Sequence, residues 1–200
     1  MQYKKGGGIR VAGIDIGNYN GSWDKLFQKS IDVIKGFKRP FLLLTDGDTS
    51  IFESLKGKVA ILIQRCLWHI PYQAQYVLWK DAVKRRGEEW VHVVAELMEI
   101  CAIRPLVDCQ DTIQAMIASK RTRLEKIIAY CREKGFTHTA SYLENARGDM
   151  FTAIENRLEG KTTSRVEQLF RTVNMSKWNT QGALNVAKVR LAYYYNGFDA

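Results

Sequence analysis

Three acidic residues stand where a carboxylate could do chemistry. Asp46 follows the apolar run Phe41-Leu42-Leu43-Leu44-Thr45 and precedes Gly47. Open α/β sheets place ligands beyond the carboxyl ends of their strands, so an acid there can face a bound group. Its oxygens suit a hard cation such as Mg²⁺, and Gly47 allows a sharp turn and leaves space beside the acid. A plain strand-to-loop turn uses the same Asp-Gly pair. Glu167 lies on a segment whose Val166, Leu169, Phe170 and Val173 recur at helical spacing. That leaves Glu167, Arg171 and Asn174 along an adjoining face, a carboxylate beside a cation suited to metal and phosphate. Ser164-x-x-Glu167 also matches a capping box, and Glu167–Arg171 an ordinary helical ion pair. Asp15, in Gly13-Ile14-Asp15-Ile16-Gly17, ends a β-branched run.

A second group is Cys66 and His69, a C-x2-H pair after the apolar run Val59–Ile63. Half of a zinc site would look like this, but Cys101 and Cys109 have the wrong spacing for the other half, and His92 and His138 stand apart. A buried thiol beside a hydrogen-bonded histidine is the simpler reading. Basic residues gather in two places: Lys80, Lys84, Arg85 and Arg86, then Lys120, Arg121, Arg123 and Lys126. The chain carries a net charge of +9, which favours a polyanionic partner through counterion release.

Elements able to hold these residues follow from the pattern. The apolar share is 46% over 200 residues, enough for a globular domain with one large insertion. No apolar run reaches the length of a membrane span. The start has no signal-peptide pattern and the cysteines no disulfide-framework spacing, so a reduced, cytoplasmic protein is expected. Residues 1–5 and 9–16 read as a hairpin around Gly6-Gly7-Gly8. A helix ends at Gly36, and residues 41–45 and 59–64 read as buried strands. From about 72 to 158 strand signals vanish. Helices are expected over about 72–86, 88–102, 110–134 and 137–158, with breaks at Gly87, Pro105 and Gly135. Further helices are expected from Thr162 to about Lys177 and from Asn179 to Gly197.

Taken together, Leu43-Leu44-Thr45-Asp46-Gly47-Asp48, Arg65-Cys66-Leu67-Trp68-His69-Ile70 and Thr162-Thr163-Ser164-Arg165-Val166-Glu167-Gln168-Leu169-Phe170-Arg171, followed by Trp178, carry a resemblance. The chain resembles bacterial and archaeal insertion-sequence transposases of the broad Mutator-like DDE group over essentially its whole length. The resemblance implies an α/β, ribonuclease H-like core over residues 1–70 and 160–200, with an all-helical insertion over 71–159. It makes Asp46 the second catalytic acid, Glu167 the third, and Cys66/His69 the family's signature pair. It further implies metal-dependent cleavage and transfer of DNA strands with two Mg²⁺ or Mn²⁺ ions. Double-stranded DNA would be the partner, contacted by Lys80, Lys84, Arg85, Arg86, Arg165 and Arg171, with a homo-oligomer left open and no membrane.

One departure from the family shapes the expectation. The family's first aspartate sits on a strand upstream of a hairpin like residues 1–16, and nothing before Gly6 offers a carboxylate. The chain therefore reads as a core lacking its first strand. Only one helix separates Asp15 from Asp46, so Asp15 belongs to the third, edge strand and is expected to be structural. The alternative is a catalytically inactive, DNA-binding remnant or regulator. An actin-like ATPase built on Gly13–Gly17 lacks a second phosphate loop and an adenosine motif.

Overall fold

The structure is a computed structural model that describes residues 2–5, 8–11, 24, 27, 28, 41–47, 61–103 and 110–158. It is mixed α/β and mostly helical. The strands are β1 (Gln2–Lys5), β2 (Gly8–Val11), β3 (Phe41–Thr45) and β4 (Ile61–Arg65). The helices are α1 (His69–Lys80), α2 (Glu88–Cys101), α3 (Gln110–Glu133), α4 (Thr137–Ala146) and the single turn α5 (Thr152–Glu155). Asp15, Arg165, Glu167 and Arg171 lie outside the described residues, as do the two expected C-terminal helices.

Backbone contacts divide the chain into two compact units. One takes residues 1–41, 48–61 and 164–200, and contains the hairpin. Strands β1 and β2 pair antiparallel from Gln2↔Val11 to Lys5↔Gly8. Gly8 is thus part of the strand, and only two residues separate the paired ends, as two-residue hairpins require.

The second unit takes residues 42–47 and 62–163, so strand residues of β3 and β4 share it with the helices. These two strands form a small parallel sheet. Leu42, Leu43 and Leu44 are half-buried, not enclosed on both faces as their sequence suggests. The reason is where the core lies. Its buried cluster begins at Leu67 and runs through the helices, and includes no residue of β3 or β4. Ile70, Ala74 and Leu78 of α1 meet Val93, Leu97 and Ile100 of α2 and Leu143 of α4 in that cluster. Each set recurs every three or four residues, the spacing that aims side chains to one side of a helix. Burying a leucine such as Leu97 fully is worth about 1.5–3 kcal/mol.

Three helix boundaries depart from expectation, one of them the end of α1 at Lys80 rather than near residue 86, since the backbone takes positive φ at Ala82 and Arg86. Helix α1 begins at His69 and runs through Pro71, ahead of the start expected at about residue 72. Proline fits the first turn, because the N–H it lacks would have no helical partner there. The helix expected over 137–158 stops at Ala146 and resumes only for α5. Between them, Asp149 turns toward the end of β4 and the backbone follows.

Candidate functional site

Asp46 is exposed at the carboxyl end of β3 and sits on a built turn. The Gly47 N–H donates to Thr45 Oγ1 (3.1 Å), and Thr45 Oγ1–H donates to the Asp46 carboxylate (3.5 Å). A hydroxyl bonded two residues on fixes a turn much as a backbone carbonyl does. Gly47 has φ of +103°, in the left-handed region. A Cβ on Gly47 would lie 2.8 Å from Arg65 Nη1, so glycine is required twice, by backbone conformation and by the guanidinium packed against it.

Arg65 is the residue that sequence reasoning missed. It ends β4, is nearly fully buried, and its guanidinium forks onto Asp149: Nε to Oδ1 at 2.9 Å and Nη2 to Oδ2 at 3.1 Å. Nη2 also donates to the Asn145 carbonyl (3.3 Å). Two parallel bonds from a planar fork set geometry as well as energy. Burial raises the Asp149 carboxyl above the usual carboxylate range, against the pull of the Arg65 guanidinium. Gln64 is fully buried beside it. Its amide nitrogen donates to the Arg65 and Met150 carbonyls (both 2.6 Å), and its oxygen accepts the Ala153 N–H (2.8 Å). The Arg65 N–H reaches the Asp149 carbonyl at 2.9 Å. The signal in the sequence was a pair of polar residues ending an apolar strand. Such residues are buried only when something distant satisfies them.

The pair Cys66 and His69 straddles the turn from β4 into α1. The Cys66 N–H donates to the Thr45 carbonyl (2.7 Å), tying the end of β4 to the residue before Asp46. The His69 N–H donates to the Cys66 carbonyl (3.1 Å), which opens the helix. The Cys66 thiol is fully buried, and the His69 ring is half-buried and edge-on to Trp68 at 5.0 Å. Cys66 and His69 therefore lie beside the strand end that carries Asp46. Among the described residues no three His, Cys, Asp or Glu side chains gather closely enough to hold a metal. Glu167, the expected partner of Asp46, is not among those residues.

The two basic clusters differ. Lys80, Lys84, Arg85 and Arg86 are all exposed, as expected. In the second cluster Lys126 is exposed, while Lys120, Arg121 and Arg123 are half-buried and engaged within the fold. Lys120 donates to the Glu99 carbonyl (2.5 Å), Arg121 pairs with Glu155 (2.6 Å) and Arg123 with Glu96 (2.8 Å). Burial, with Arg123 beside it, pulls the Lys120 ammonium below its ordinary value. Each of these cations faces α2 or α5 across the bundle, where carboxylates and a carbonyl meet it.

Burial also pushes two thiols of this unit, Cys101 and Cys131, up to about 12. A thiol held protonated is a poor nucleophile and a poor metal ligand. Among the described residues that leaves the turn at Asp46, with Arg65 beneath it and Cys66–His69 beside it, as the arrangement best suited to chemistry. No protein-family model, curated protein or solved structure matches this chain.

Proposed function

We propose that this chain is the catalytic portion of a DDE-type DNA transposase of the Mutator-like group, built on a ribonuclease H-like core with a helical insertion. The observation that carries this reading is the exposed Asp46 carboxylate on a fixed turn at the end of β3, with the Cys66–His69 turn bonded to the same strand end. A carboxylate of that kind fits one ligand position of a hard divalent cation. Asp46 and Glu167 would share such ions, which when bound activate an attacking hydroxyl and stabilise the leaving oxygen of a phosphodiester. The work of the protein is then positional. Thr45 and Gly47 set the direction of Asp46, and Arg65, locked by Asp149, supports the turn from below.

Iron(II) with ascorbate and peroxide tests the reading, because it cuts the backbone beside the residues that hold it. Cuts are expected next to residues 46 and 167, suppressed by excess Mg²⁺ and lost in Asp46→Asn. Glu167→Gln should lose them too while the fold stays intact, since glutamine serves a capping box but carries no charge for a cation. A cutting pattern that Asp46→Asn leaves unchanged would rule out the DDE assignment. An inactive DNA-binding remnant would bind DNA with no such cuts.

A further inference from the structure

Helix α1 carries an aromatic stripe that the core does not use. Trp68, just before it, is 49% exposed, and Tyr72, Tyr76 and Trp79 are 60%, 58% and 68% exposed. At about 100° per residue these four positions fall within an arc of about 80°, one face of the helix, and span about 16 Å of its length. Large aromatics ordinarily enter cores, so four on one open face mark a binding surface. They form two stacked pairs: Trp68 with Tyr72 (ring centroids 5.2 Å apart, planes at 15°) and Tyr76 with Trp79 (5.8 Å, 24°). Lys80 Nζ lies 4.8 Å from the centre of the Tyr76 ring.

The stripe runs directly into the free cations. Lys84, Arg85 and Arg86 follow in the loop after α1, all exposed, and none pairs with a carboxylate among the described residues. Asp81, the acid of this stretch, is turned away to α4. Its carboxylate accepts the N–H groups of His138 (3.0 Å) and Thr139 (2.8 Å) and the Thr139 hydroxyl (2.7 Å). A row of exposed ring faces ending in uncompensated positive charge is complementary to a chain of flat bases on a phosphate backbone.

We propose that this face of α1 binds unpaired nucleic acid, with bases stacked along Trp68, Tyr72, Tyr76 and Trp79 and phosphates against Lys80, Lys84, Arg85 and Arg86. Stacking requires bases whose faces are free, which an intact duplex does not offer along its length. A second copy of the chain is the poorer fit, because it would bring the same cations to the same face. Binding of this kind needs no metal.

The test is fluorescence anisotropy in EDTA with a labelled oligothymidylate of about ten nucleotides, compared with a duplex of equal length. EDTA separates this surface from the catalytic reading, which can fail or hold independently. The single strand should bind more tightly than the duplex. Trp79→Ala and Tyr72→Ala should each weaken it by about 5- to 100-fold and leave duplex binding unchanged, while Tyr72→Phe, which keeps the ring, should retain it. Lys84→Ser with Arg85→Ser should weaken both ligands and flatten the salt dependence. The proposal is overturned if the parent prefers duplex, or if the alanine variants bind the single strand as the parent does. A parental dimer in sedimentation that Trp79→Ala disperses would equally overturn it.

Discussion

Lys84, Arg85 and Arg86 look much like Lys120, Arg121 and Arg123 in the sequence, yet the structure treats them oppositely. The second group lies on the long helix α3 and points into a bundle, where Glu96, Glu155 and the Glu99 carbonyl take it up. The first lies in a loop whose acid, Asp81, serves another helix. Positive charge in a sequence thus says little about binding until each cation's partner is known. A cation already paired inside the fold has less to offer a phosphate.

Arg65 is the extreme of the engaged class, and its removal should have the largest effect. Arg65→Met leaves the Asp149 carboxylate buried without its partner, and breaking a buried pair costs about 3–5 kcal/mol. Urea unfolding should show that loss, and a fall below about 1 kcal/mol would mean that Asp149 finds another partner at once. Next comes Asp81→Ala. The first turn of α4 loses the acceptor for two backbone N–H groups, a loss of about 1–2 kcal/mol by analogy with capping residues. The same change frees the loop of Lys84–Arg86, so single-strand binding should weaken modestly along with stability. The smallest change in stability separates the two clusters most cleanly. Arg123→Ala, at a half-exposed pair, should cost less than about 1 kcal/mol and leave nucleic-acid binding unchanged. Lys84→Ser with Arg85→Ser should move stability by no more than about 0.5 kcal/mol while binding falls. The reverse pattern would dissolve the distinction.

Much of the helical half was legible because a 3.6-residue apolar period survives without knowledge of neighbours. Ile70, Ala74 and Leu78, or Val93, Leu97 and Ile100, declare their face directly. Gly87 and Gly135 stand at helix boundaries as expected. Three things were hidden, each for a tertiary reason. The break after Ala146 follows from Asp149 reaching Arg65, 84 residues earlier, and a local window contains no such partner. The start of α1 at His69, ahead of the expected residue 72, was hidden because the turn that opens it is set by the end of β4. The aromatic stripe was concealed within an apolar pattern, since tyrosine and tryptophan count equally toward a core or an open face. For the candidate site, Asp46, Gly47 and the Cys66–His69 turn could be singled out by type and spacing. Arg65, which supports them, could not.

The closure of β4 has a consequence for the order in which the molecule is made. Gln64 and Arg65 are satisfied by residues 84 to 89 positions later in the chain: Asp149, Met150 and Ala153. At about 5–20 residues per second, the ribosome needs roughly 4 to 17 s after β4 before those partners exist. Throughout that interval the strand end holds a guanidinium and an amide with nothing to receive them, so it must stay hydrated. The helices between, rich in short-range contacts, can form meanwhile. Amide exchange during synthesis should therefore find α1 and α2 protected early, with the end of β4 protected only after α5 has emerged.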